Sequence, residues 1–265
     1  MNNTIVLIPH YNNFTGLLKT IKSINADEKI DVLIVDDGSN TDTINADVLK
    51  KSVSFNGQLH IEYLPINSGI EEALNKGLMF VKQQSRYQFI ARIDCGDVVV
   101  GKRFQKQECF LTENPDVALL GCNAIAVDIN DNELYRTVFP EEHEVIKHKM
   151  YLNAMFLHPC VMFRSMVLKT IGVYPTEFEA AEDYAYFFSI MEKYKTHNLQ
   201  DFLVKYEINP NGISLSKRKK QVKSRIQIIR KHFYFGFWPC YGLVRNYLLL
   251  YIPNILIQTL KKWKS

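Results

Sequence analysis

After Glu207 the chain has no acidic residue, yet it carries twelve more Lys and Arg. Residues 1–207 have a net charge of −8 and the remainder +12, a division hidden in the overall +4. That asymmetry points to an anionic partner for the tail, either a membrane surface or a nucleic acid. Cysteine is sparse: Cys95, Cys109, Cys122, Cys160 and Cys240 are odd in number, widely spaced and without a CxxC pair. This argues against a zinc site or a redox couple and for reduced thiols in a cytosolic protein. The opening MNNTIVLIPHYNN has no basic segment before its apolar run and no small-residue cleavage site after it, so it does not read as a signal peptide. No G-x-G-x-x-G follows that run, against a nicotinamide oxidoreductase. A Gly-rich loop bearing Arg and Lys, which a sugar nucleotidyltransferase would need there, is missing as well. Long apolar runs are also lacking. Tyr247–Leu260 is 14 residues and contains Pro253, Asn254 and Gln258, short of the roughly 20 that a spanning helix needs.

What is present suits a compact α/β enzyme: 265 residues, 47% hydrophobic, with no internal repeat or low-complexity linker. Strand-like and helix-like patterns alternate through the first hundred residues, as an open, mostly parallel sheet flanked by helices requires. Thr4–Pro9, Val32–Val35, Ile61–Leu64 and Phe89–Ile93 read as strands. Apolar residues at 17, 18, 21 and 24 mark one helix face, and 41–52 and 70–83 read as further helices. A helix through Phe110, a strand Val117–Val127, a polar turn around 128–133 and apolar segments at 155–164 and 184–191 follow. The expected division is a first half at 1–100, a second half of the same unit at 101–216 and a basic C-terminal extension at 217–265.

Polar or carboxylate-rich turns follow several successive strands, at the end where open α/β sheets bind ligands. Asp36-Asp37-Gly38-Ser39 can direct carboxylates at a base N–H or ribose hydroxyls, and is equally an Asx turn capping the next helix. Asp94 and Asp97 flank a glycine directly after a buried strand. They can supply hard oxygen ligands to Mg²⁺ or Mn²⁺, or form a solvated loop with an Asp cap.

Taken in order, these segments resemble glycosyltransferase family 2, on the fold called GT-A. Pro9-His10-Tyr11-Asn12, Val35–Ser39, Asn67-Ser68-Gly69 with Ala73–Leu78, Arg92–Asp97 with Arg103-Phe104, His158-Pro159 with Arg164, Gly172-Val173-Tyr174 and Glu182-Asp183-Tyr184 carry the resemblance over about residues 4–216. It implies that Pro9, Tyr11, Asp36 and Asp37 frame the nucleotide, with Gly69 and Asn75 shaping that pocket and Arg92 and Asp94 toward the diphosphate. Asp94 and Asp97 would handle the metal, with His158 as a further ligand, because Gly96 replaces the middle acid of the family's D-x-D-D. Asp183 would be the general base, with Glu182 and His158 on the acceptor side. The implied reaction is inverting transfer from a UDP- or dTDP-sugar to a lipid-linked saccharide in cell-surface polysaccharide synthesis, at the inner face of the cell membrane.

The tail bears on the partner. Lys217–Lys220, Lys223, Arg225, Arg230 and Lys231 precede Phe233–Trp238 and Tyr247–Ile252, a basic and aromatic mixture that suits an interfacial segment on anionic lipid. Lys217 and Arg218 are also candidates to neutralise phosphate. The alternative is a helix packing its apolar face on the catalytic part. A nucleic-acid binder would leave the DDGS, RIDCGD and EDY segments without a task, and the aromatics are not spaced as stacking platforms, so no nucleic-acid partner is expected.

Overall fold

The computed structural model describes residues 2–208 and 217–251. The first four strands, β1 (Thr4–His10), β2 (Asp31–Asp36), β3 (Leu59–Tyr63) and β4 (Phe89–Arg92), are all parallel and ordered β3-β2-β1-β4. Their central members are apolar on both faces: β2 reads DVLIVD and is buried throughout. Chains of this kind need helices on each side. Helix α1 (Phe14–Ser23) and the short α2 (Ala46–Lys51) cover one face, where Leu17, Ile21 and Leu49 pack with Val6, Ile8 and Val32. Helix α3 (Ile70–Lys82) covers the other, placing Leu74 and Leu78 against Ile5, Leu7 and Leu33. The crossover changes face between β1 and β4, so a crevice opens at their carboxyl ends.

The sheet then turns mixed. β5 (Val98–Val99) and α4 (Arg103–Glu113) lead into β6 (Val117–Val127), followed by β7 (Glu133–Thr137), α5 (His143–Met150), a 3-10 turn at His158–Cys160 and β8 (Met162–Arg164). After α6 (Val167–Thr170) come α7 (Glu182–Lys193) and β9 (Lys195–Glu207). The strand order is β3-β2-β1-β4-β8-β6-β9-β5, with β7 on β6; β8 runs antiparallel to both β4 and β6, and β9 parallel to β6. The β4–β8 pairing makes one continuous sheet of the two parts. Glu28 accepts from the backbone N–H groups of Phe104 and Gln105 at 2.9 Å and so caps α4 from across the core.

The second helix is shorter than its expected 41–52. Asn12 Oδ1 accepts from the N–H groups of Asn40 and Thr41, and Asp42 accepts from Phe14 N, which holds residues 40–42 as a loop against the end of β1. Asn45 then caps α2 by accepting from Val48 N at 3.1 Å.

Two helices close the described chain, α8 (Arg218–Lys231) and α9 (Phe237–Tyr251). Residues 252–265 of the expected extension at 217–265, and the joint at 209–216, lie outside the described residues. The α8–α9 pair packs on α5 and α7. Ile228 and Ile229 enter the core, Tyr151 donates to the His232 carbonyl at 2.8 Å, and His232 stacks on Phe188 at 4.6 Å. Three of its cations meet acids of the preceding loop: Lys217 and Lys220 pair with Glu179, Lys231 with Glu177. Packing on the catalytic part thus accounts for one side of the extension. The other side is exposed. Among the described residues no helix is long and apolar enough to cross a membrane.

Gly242 is where α9 touches the rest. A Cβ there would lie 2.4 Å from the Tyr151 carbonyl oxygen, and backbone cannot yield as a side chain does. Gly242→Val should therefore cost about 1–3 kcal/mol and pry the pair loose. Limited proteolysis should then cut within 233–251 first while residues 2–208 stay protected; unchanged resistance would show that α9 is not seated through this contact.

Candidate active site

The carboxyl end of β1 is tied to that of β2 by a histidine. His10 is buried, and its Nε2 can only accept from Asn13 N–H at 3.3 Å. The proton must then sit on Nδ1, 3.3 Å from Ser39 Oγ and 3.4 Å from Asp36 Oδ1. Asp36 Oδ1 also accepts from Ser39 N at 3.0 Å. Among the described residues Asp36 Oδ2 accepts no hydrogen bond, and Tyr11, next to His10 in sequence, is half-exposed. Pro9 accepts from the Cys95 thiol at 3.2 Å, which joins β1 to the turn after β4.

Several expected pocket residues are structural staples here. Both Asp37 oxygens are taken, by Ser68 N at 2.7 Å and Gly69 N at 2.9 Å, and burial raises its pKa. Gly69 enters α3 at φ 98°, a conformation that favours glycine. Asn75 clasps the backbone of Tyr174 at both N–H and C=O, each at 2.9 Å. It thereby fastens the Gly172–Tyr174 segment to α3.

At the end of β4 lies the least ordinary group of the molecule. Arg92 is 1% exposed; its Nη2 meets Asp94 Oδ1 at 2.6 Å, and its Nε and Nη1 have no hydrogen-bond partner among the described residues. Arg103, equally buried, donates to the Arg92 carbonyl at 2.8 Å and to Gln107, holding the strand end in place.

Asp94, Asp97 and His158 do not converge on one point. Among the described residues no three His, Cys, Asp or Glu side chains gather as a metal cage. Asp97 is buried and accepts from Glu207 N at 3.1 Å, tying the end of β9 to the turn; burial and the Asp94 charge raise its pKa well above the carboxylate range. His158 is buried with Nε2 3.0 Å from the Tyr174 hydroxyl, and burial beside Arg92 keeps it neutral. Asp94 alone reaches solvent, its side chain 37% exposed. One hard carboxylate fits a Mg²⁺ or Mn²⁺ ion that draws its other ligands from a diphosphate and water. It does not fit an ion held by protein alone.

Asp183 stands at the start of α7, across from Arg92. Its Oδ1 accepts from Tyr184 N, and its Oδ2 is 3.9 Å from His158 Nδ1, too long for a hydrogen bond. Desolvation raises its pKa; the Arg92 and Arg225 charges act the other way. Glu182 is buried, with Oε2 unpartnered, and burial together with Asp183 pushes it up to about 8. Lys217 and Arg218 are spent at the α8–α9 pair, on Glu179 and on the Leu249 carbonyl. The residues that reading the sequence missed are His10, Tyr174 and Arg225. The first two stand inside quoted motifs, but their tasks depend on partners distant in sequence.

A family model described as "Glycosyl transferase family 2" matches residues 5–172. The chain belongs to that family. It is a glycosyltransferase, and its mixed sheet with flanking helices is the GT-A fold. It is 27% identical over 235 residues to the amylovoran biosynthesis glycosyltransferase AmsE of Erwinia amylovora, covering 85% of this chain and 84% of that protein. Among solved structures, S. aureus TarS 1-349 in complex with UDP-GlcNAc superposes with a TM-score of 0.69 at 18% identity, over 91% of this chain and 69% of that one. The mannosyltransferase PcManGT from Pyrobaculum calidifontis, in complex with GDP-Man and Mn²⁺, gives 0.61 at 15% identity, over 94% and 69%.

Glu182 makes the site's pH behaviour testable. Its folded pKa of about 8 exceeds the ordinary 4.5, so the folded enzyme keeps a proton that the unfolded chain loses. The associated stability is full below pH 4.5 and is lost as pH rises through 8. Glu182→Gln removes this term, so its Tm should fall less than wild type between pH 5 and 8.5. The gap should be on the order of 2 kcal/mol, about 4–8 °C for a chain this long. Parallel Tm curves would show that Glu182 ionises normally.

Proposed function

We propose that this glycosyltransferase works by inversion, moving a sugar from a UDP- or dTDP-linked donor to a hydroxyl of a lipid-linked saccharide in cell-surface polysaccharide synthesis. The observation that carries the reading is that Asp94, from the nucleotide half, pairs with the buried guanidinium of Arg92 while Asp183, from α7, lies within reach of the same charge. A donor laid along the carboxyl edge has Asp36 and Tyr11 at its nucleoside and Arg92 and Asp94 at its diphosphate. Asp183 then faces the incoming acceptor. AmsE, named for amylovoran biosynthesis, supports the polysaccharide context.

In the step itself Asp183 Oδ2 takes the proton of the acceptor hydroxyl. The freed oxygen pair forms the bond to the anomeric carbon, and the bond from that carbon to the diphosphate oxygen breaks with its electrons leaving on the nucleoside diphosphate. A base contributes about 10²–10⁴-fold to such a transfer. Asp183 suits the task because its other oxygen is fixed by Tyr184 N while burial makes it a stronger base than a surface carboxylate. A divalent cation at Asp94 would supply Lewis-acid stabilisation of the departing diphosphate. Asp183→Asn should lower transfer by at least about 100-fold while leaving nucleotide affinity, read by calorimetry, within about twofold; near-normal turnover would remove Asp183 from this role.

The acceptor side of the reading rests on α9. Phe237, Tyr241, Val244, Leu248 and Tyr251 are exposed and follow one another at helical spacing, with Phe235 97% exposed in the preceding turn. Lys219, Lys223 and Arg230 of α8 are exposed and make no ion pair among the described residues. An apolar stripe next to free cations suits the surface of an anionic membrane on its cytoplasmic side, each cation contributing about 1 kcal/mol near the lipid. The full chain should co-sediment with vesicles containing anionic lipid at low salt, weakening without vanishing as salt is raised. The triple variant Phe237→Ser, Tyr241→Ser, Leu248→Ser should bind at least tenfold more weakly. Absence of wild-type binding at low salt would overturn the membrane part of the reading.

A further inference from the structure

We propose that Arg225 and Arg245 form a subsite for an oxyanion carried by the acceptor, beside the hydroxyl that Asp183 activates; this rests on the acceptor reading above. Arg225 differs from its neighbours on α8. Lys217, Lys220 and Lys231 find carboxylates at Glu177 and Glu179, and Gln221 and Ser224 donate to the carbonyls of Ala180 and Glu179. Arg225, on the same side of the helix, has no hydrogen bond or ion pair among the described residues, and its Nε is buried without an acceptor. Its guanidinium carbon lies 5.9 Å from the ring centre of Tyr184, the residue after Asp183.

Arg245 approaches from α9 through the turn that ends α5, where the Tyr184 hydroxyl donates to the Met150 carbonyl. It donates through Nη1 to the Leu152 carbonyl at 2.6 Å and, like Arg225, makes no ion pair among the described residues. The two cations repel each other, and each acts on Tyr184. Bringing two guanidinium groups together while withholding a carboxylate is unfavourable unless an anion completes the arrangement. Because Arg225 lies over the ring of Tyr184, the residue after Asp183, a hydroxyl at the carboxylate and an oxyanion at the guanidinium can belong to neighbouring parts of one acceptor.

An arginine fork binds phosphate and carboxylate alike. The oxyanion can therefore be the phosphate that joins the saccharide to its lipid, or the carboxylate of an acidic sugar. The full-length enzyme should be assayed with one saccharide in three forms: an alkyl diphosphate glycoside, the glycuronic acid as its alkyl glycoside, and the neutral alkyl glycoside. Wild type should favour one anionic form over the neutral one at least tenfold in kcat/KM, and which form wins identifies the source. In Arg225→Gln and in Arg245→Gln that ratio should collapse toward one, whereas Arg225→Lys should keep part of it; thermal melts confirm that each variant is folded. Equal use of all three forms by wild type, or an equal loss on all three in the Gln variants, overturns the subsite while leaving the acceptor reading standing. Donor turnover without transfer to any of the three overturns the acceptor reading and the subsite together.

Discussion

A fully buried guanidinium with one partner is the constraint around which the site is arranged. Arg92 spends one nitrogen on Asp94 at 2.6 Å and has two more with no partner among the described residues. Unmatched buried charge is expensive, so its neighbours have to accommodate it. His158 stays neutral beside it, Arg103 pins its carbonyl, and Asp183 lies within reach of its field. In the proposed reaction the same feature is useful, because a donor diphosphate brings the oxygens that the free enzyme withholds. Preorganised donors of this kind act where charge develops and cost no rearrangement during the reaction.

The carboxylates around this centre divide by what their oxygens already hold. Asp37 and Asp97 are occupied by backbone N–H groups and maintain the turns. Asp36, Asp94 and Asp183 each keep an oxygen for something else. Sequence spacing cannot make that division. Asp36-Asp37 and Asp94-x-x-Asp97 read as pairs, whereas the structure uses one member of each to hold the loop that presents the other. The same holds for Asn75, whose motif was legible but whose amide serves the Tyr174 backbone 99 residues away.

The parallel half of the fold was legible because its strands are buried on both faces and end at polar turns, a pattern that survives without any knowledge of partners. The remainder was harder for a physical reason. β9, KTHNLQDFLVKYE, mixes buried, half-buried and exposed positions without a regular period and carries Lys, His, Asn, Gln and Asp. Its place is set by pairing with β6, not by its own hydrophobicity. Helix α5 has only Ile146 and Met150 buried, too few to impose a period on the eight residues His143–Met150. Strand β7 has every side chain from Glu133 to Arg136 exposed, so it reads as part of a polar turn and becomes a strand only by adding to the β6 edge.

The α8–α9 pair shows why charge asymmetry alone gave only half of an answer. A count of cations without acids cannot tell those that meet Glu177 and Glu179 from those that face outward. Once the first set is placed, the second is confined to one side, Lys219, Lys223 and Arg230, with the apolar stripe of α9 nearby. The inner side reaches Tyr184, next to Asp183, through Arg225. A single pair of helices therefore links the exposed surface to the residue beside the base. Loss of its seat at Tyr151 would be felt both in what the protein adheres to and in the electrostatics of Asp183, because the same rigid element carries both sets of side chains.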